Sequence, residues 1–459
     1  MENTSKIDQI QQVGEKAKDK VTNLASNAGK GIIDMLKSND KPLEVPKLSN
    51  IEIQKQKMEN QIVFFIFLLI GILLLIGLIF VSKTFRVYTT LKRLEIYRSN
   101  EITQKSIIDY VSVSDMNTKK LRDYYIASAY RPYVCYLHKY DYCSLEIFQQ
   151  VLCAGPRMIE LEIFNDSFSS DVEPVVSTGN EDGEWKFSLN SLPLPDVLKI
   201  VASTVFNQKY VKQLYKDPFI IYLNLKVNRN IICIEKINKY LYDILGQYLL
   251  DIKYAYNSNR ENSNFANITF NSILNKIIIF SSPGFEGTPL EEIVNYSIAS
   301  DYTLENNPEQ YRIMYLKNGD IVEKDEDIEE YNNTTHYKVS ATHLKDYNKC
   351  GITIVSPEPD DSQGFFDGIS PYNPEPTKSL ETGSQFIMMN YQMIDTNMSN
   401  YMYIFKDSSF VEKSERLRDT DNSSCTRKFT SVKTQKLEHT NREVVYTYVT
   451  PKDEIEDTQ

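Results

Sequence analysis

The chain lacks a surplus of basic residues, carrying 51 Lys and Arg against 62 Asp and Glu for a formal charge of −11. A nucleic-acid binder of this size would carry a basic face, so that partner class is set aside. There is no Cys-x-x-Cys pair, and no Cys/His cluster has zinc-ligand spacing. The six cysteines, Cys135, Cys143, Cys153, Cys233, Cys350 and Cys425, read as free thiols in a large domain. Gly-rich phosphate loops, Gly-x-Ser-x-Gly and His-Glu-x-x-His are also missing, which excludes the simplest nucleotide-binding, serine-hydrolase and zinc-protease readings. Histidine is scarce: His138, His336, His343 and His439 are the whole supply of side chains that exchange a proton near neutrality.

What the chain does have is one long apolar run, "IVFFIFLLIGILLLIGLIFV", at residues 62–81. At 1.5 Å per residue these twenty uncharged positions span roughly 30 Å, one bilayer core. The run starts too far in and is too long for a cleavable signal peptide. It predicts a transmembrane helix over residues 61–82, contacting lipid through residues 62–81. Lys41, Lys47, Lys55 and Lys57 precede it, and Lys83, Arg86, Lys92, Arg93 and Arg98 follow. Five against four leans toward a C-terminal domain on the cytoplasmic side. Residues 1–60 hold an amphipathic tail and a linker. Ile7, Ile10, Val13, Ala17, Val21, Leu24, Ala28, Ile32 and Met35 recur at helical steps, with lysines among them. Such a tail fits a membrane surface, a partner helix, or a polar segment that folds only on contact.

From about residue 116 short apolar runs alternate with helical patterns. "MIELEIF", "EPVVST", "DPFIIYLNL", "KIIIFS", "CGITIV" and "QFIMMNY" read as strands buried on both faces. "SLEIFQQVLCAG" and "IEKINKYLYDILGQYL" read as helices between them. This alternation predicts a parallel sheet, open or closed into a barrel. The acidic "VEKDEDIEE" at 322–330 reads as a solvated interruption.

These strands, in this order, resemble the catalytic barrel of eukaryotic-type phosphoinositide-specific phospholipase C. The X-like half runs from "YYIASAYRPYV" through "AGPRMIELEIFND", "EPVVSTG" and "DPFIIYLNLKVN" to "NKIIIFSS". The Y-like half comprises "HLKDYNKCGITIVSP", "SPYNPEP" and "GSQFIMMNYQM". The resemblance implies an α/β fold, a distorted (β/α)8 TIM-like barrel. The expected organisation is a connector at 83–115, the X-like half at 116–300, an acidic linker region at 301–345, the Y-like half at 346–420 and a tail at 421–459.

The resemblance also implies a site in which two histidines act on the phosphodiester and a calcium ion, held by an Asn and three carboxylates, lowers the pKa of the attacking hydroxyl. Here the first histidine position holds Tyr130, and the adjacent Asn position holds Arg131. The two carboxylates of the second strand are kept as Glu160 and Glu162. Thr178 stands at the second histidine position, and Asn224 at the last carboxylate, on what would be the fourth strand. The phosphate-gripping lysines align with Phe280 and Ser282, and "GFFDGISPYNP" offers no arginine. Tyrosine, with a reference pKa near 10, is a poor proton shuttle at pH 7.

These replacements lead to the expectation of a membrane-anchored pseudoenzyme, with no catalytic residue, no calcium and a protein partner the sequence does not name. Arg131 is expected to replace the metal as counter-charge for Glu160 or Glu162. An active phosphodiesterase with altered chemistry and a headgroup-binding module without turnover stand as alternatives. The chain is rich in Asn, Lys and Ile, a bias that fits a protist or large-virus membrane protein, including a virion component.

Overall fold

The computed structural model describes residues 50–99, 104–112, 115–166, 172–180, 183, 186–256, 265–298, 313–323, 338–357 and 372–419, and the backbone of an antiparallel strand pair at 431–439 and 442–450. The amphipathic tail, most of the acidic run and the stretch just before Tyr372 lie outside the described residues.

Helix α1, Asn50–Leu94, contains the apolar run without a Pro to break it, and Lys92 and Arg93 complement the dipole at its last turn. It is long and apolar enough to cross a membrane, and the side chains of its apolar stretch are exposed. The chain divides into two compact units, Met1–Leu78 and Ile79–Gln459.

The second unit holds eight parallel strands. They are β1 (Tyr124–Ala129), β2 (Met158–Asn165), β3 (Phe219–Lys226), β4 (Ile277–Ser281), β5 (Tyr296–Ser297), β6 (Ile313–Lys317), β7 (Ile352–Ser356) and β8 (Phe386–Met389). Each pairs with its sequence neighbour, and β8 returns to β1 with Phe386 opposite Ile126. A single parallel bridge, Ile298 to Ile313, joins the β5 and β6 edges and closes the barrel.

Strand alternation sorts the side chains. Ile126, Met158, Ile220, Ile278, Phe280, Ile354 and Phe386 fill the lumen as one cluster. Ile159, Leu161, Ile163, Ile221, Leu223 and Ile279 point outward into a second cluster under the helices. Helices α2 (Leu145–Cys153), α3 (Leu194–Thr204) and α4 (Ile231–Leu245) supply its other wall. Burying each of these large side chains contributes roughly 1.5–3 kcal/mol. Ser144 caps α2 by accepting from Ile147 N, and Asn230 caps α4 by accepting from Cys233 N.

Four expectations change. "EPVVST" is not a barrel strand, because Pro174–Val176 runs antiparallel on the outer part of β2. The region read as an acidic linker contributes β6. Asn224 therefore lies on the third barrel strand rather than the fourth. Cysteines 135, 143, 153 and 233 are free thiols, whereas Cys350 is disulfide-bonded.

Candidate functional site at the barrel mouth

In a parallel barrel the loops after the C-terminal strand ends build the site. Glu160 and Glu162 share the lumen side of β2 with Met158, facing Tyr222 and Asn224 across the β3 register. Glu160 is 0% exposed and Glu162 3%. Asn224 Nδ2 donates to Glu160 Oε1 at 2.8 Å. Arg131 Nη2 donates to Glu162 Oε1 at 2.7 Å, an ion pair almost sealed from solvent. The pairing expected from the sequence with either glutamate is made with Glu162.

Arg131 follows β1 with φ of 41°, in the left-handed region that side-chain-bearing residues rarely enter. Its carbonyl is fixed by Gln392 Nε2 at 3.0 Å, and the same amide donates to Val134 O at 3.1 Å. Arg131 Nη1 lies 3.1 Å from His138 Nδ1. A guanidinium has only donors, so Nδ1 is the acceptor and the ring is neutral with its proton on Nε2. Burial, and then the Arg131 charge, push the His138 pKa down to about 3. His138 stacks on Tyr130, with ring centroids 5.4 Å apart, and the Arg131 guanidinium lies 4.9 Å from the Tyr130 ring.

The remaining positions are also enclosed. Thr178 Oγ1 donates to the His138 carbonyl at 2.9 Å and lies 2.7 Å from Ser188 Oγ. Phe280 is 0% exposed, in edge contact with Tyr296 and Phe386. Ser282 Oγ accepts from Leu225 N at 2.8 Å. Tyr222 and Tyr315 pack together with centroids 5.6 Å apart.

The charges do not cancel evenly. Burial, followed by repulsion from Glu162, pushes the Glu160 carboxyl up to about 7, with Arg131 pulling the other way. Burial alone would lower the Arg131 guanidinium, but Glu162 and its neighbours outweigh it and hold the proton tightly. Glu160 Oε2 and Glu162 Oε2 have no hydrogen-bond partner among the described residues. These residues do not fit the divalent ion that the resemblance implies. Calcium takes six or more oxygen ligands, and a fixed guanidinium already occupies one face of the carboxylate pair.

His138 is the member that sequence reasoning passed over. It lies eight residues beyond Tyr130 in "YVCYLHKYDYC", and only the return of that loop over the mouth brings it to the site. No spacing rule marks it.

A parallel barrel with paired carboxylates at the mouth of its second strand has the fold of the phospholipase C-type TIM barrels. A family model described as phosphatidylinositol-specific phospholipase C, X domain, matches residues 117–283. Among solved structures the chain is similar to PLC21 of S. officinalis and PLC21 of L. pealei. Each is 18% identical at a TM-score of 0.51 and covers 66% of this chain. The chain spans 38% of the length of each. No curated protein matches it.

Proposed function

We infer that the protein is a membrane-anchored, phospholipase C-like barrel that has given up phosphodiester hydrolysis and serves as a structural or interaction module. The observation that carries this reading is the buried Arg131–Glu162 pair. A permanent cation of the chain's own stands where the family's metal would work, beside a tyrosine in place of a proton carrier. His138 offers no substitute, since its Nδ1 faces a guanidinium and its pKa is far below neutrality. Headgroup binding without turnover is disfavoured because Arg131, Glu160, Glu162 and Thr178 are all buried.

The apolar run at 62–81 supports a single-pass anchor, and the Lys/Arg balance across it supports a cytoplasmic barrel. An internal or virion membrane fits the same layout. The partner is a protein, to be identified by affinity purification from the native source.

The test uses the full chain in bilayer discs containing phosphatidylinositol and its 4,5-bisphosphate, with and without calcium. No soluble inositol phosphate is expected. Turnover that Glu160→Gln abolishes would overturn the reading.

A further inference from the structure

The loop that joins β1 to α2 is held from two sides. On the barrel side, Arg131 is seated on Glu162 and its carbonyl is pinned by Gln392. On the other side stand residues 79–97, the end of α1 and the short turn of helix after it. Thr90 Oγ1 donates to the Cys135 carbonyl at 2.8 Å, a buried bond. Arg86 Nη1 reaches Asp141 Oδ2 at 3.4 Å. The Asp141 side chain is 0% exposed and also organises the loop itself, accepting from Leu137 N at 2.9 Å and Tyr142 N at 2.8 Å. The Arg93 guanidinium lies 4.4 Å from the Tyr136 ring centre. Leu94 is buried in the outer core, and Tyr97 Oη donates to the carbonyl of Tyr391, next to Gln392.

These contacts converge on residues 135–142, the stretch that carries His138. The loop is also strained: Arg131 and Tyr140 both have positive φ, at 41° and 57°. Such conformations persist only where the surroundings over-determine them, and they cluster at sites that switch.

We propose that residues 79–97 act as a clamp on the 130–143 loop, holding it in the conformation that seats Arg131 on Glu162. The state of the barrel mouth is then set by the segment that continues the apolar span. A pull or rotation applied there is felt at the carboxylates. The inference rests on the contacts alone and stands whether or not the barrel hydrolyses lipid.

Two buried free thiols report the loop, Cys135 and Cys143, and a third, Cys233 on α4, reports global opening. The experiment compares the full chain with a Thr90→Val/Arg86→Gln variant in bilayer discs. Maleimide labelling rates are read residue by residue by mass spectrometry. Losing one buried hydrogen bond and one ion pair raises local opening by on the order of tenfold to a hundredfold. The expected result is that rise at Cys135 and Cys143 with Cys233 unchanged. Arg131→Met, which loosens the loop from its other side and also weakens the fold, is expected to raise the Cys135 and Cys143 rates by more than that of Cys233. Equal rates in variant and parent would overturn the proposal. So would a parallel rise at all three thiols, which would mean that the segment supports the whole barrel and not the loop.

Discussion

Arg131 Nη2 sits 2.7 Å from Glu162 Oε1 with both side chains nearly buried, so the barrel mouth carries its own counter-ion. Taking both charges out of water costs several kcal/mol per ion, and the pair holds only while each partner is present. Arg131→Met is expected to destabilise the fold by roughly 3–5 kcal/mol, and Glu162→Gln by a similar amount. The double variant should recover most of the loss. Denaturant titration in detergent checks this cycle; strict additivity of the single effects would show that the two side chains do not depend on each other.

Glu160 gives the fold a pH dependence. Its carboxyl is raised from the ordinary 4.5 to about 7 by burial and then by Glu162, against the pull of Arg131, Asn224 and Lys226. A carboxyl raised on folding binds more protons in the native state, so its contribution is fully present below about pH 4.5 and is lost as pH climbs through about 7. Between those values the native protein should lose a few kcal/mol relative to Glu160→Gln, whose curve should be flatter. Thermal melts of both proteins from pH 4.5 to 8 measure the difference. A Glu160→Gln variant that is less stable at pH 8 would contradict the assignment.

Phe280 fills the lumen where the resemblance places a lysine. Phe280→Lys would set an ammonium between Tyr296 and Phe386, at a cost of several kcal/mol. The variant should be poorly folded or should shift the lysine pKa far down. A stable variant that gains affinity for inositol phosphates, by calorimetry, would show that the lumen tolerates a lysine at this position.

The apolar run supplies a fourth expectation. Leu73→Arg places a charge near the middle of residues 62–81 and costs on the order of 2.5–3.5 kcal/mol for insertion. The fraction resisting alkaline carbonate extraction should fall. An unchanged fraction would mean that the run does not span.

Much of this architecture was legible in the sequence because buried parallel strands advertise themselves. "IIIFS" is an apolar run ending in a turn residue, "FIIYLNL" and "MIELEIF" are apolar apart from Asn224 and the two glutamates, and each is a barrel strand. Two strands were not legible for opposite reasons. Tyr296–Ser297 is too short to carry a period. Ile313–Lys317 sits beside an acidic run whose charge drew it into a linker. "PVV" carried a strand signal but no information about its partner, and it pairs outside the barrel. Glu160 and Glu162 were readable because strand alternation fixes their common face. His138 was not, since a loop's return path is set by contacts such as Thr90 with Cys135 that no local pattern encodes.

The bridge between Ile298 and Ile313 makes the barrel a ring sewn shut by backbone hydrogen bonds. The peptide that runs from 299 to 312 is therefore a second connection between edges already joined. Loop entropy grows only slowly with length, so a chain break placed between Ile298 and Ile313 is expected to leave the strand pairing on either side of it intact. The two halves of this protein are thus candidates for separate expression and spontaneous reassembly, a split barrel whose reunion could report the meeting of whatever is fused to each piece.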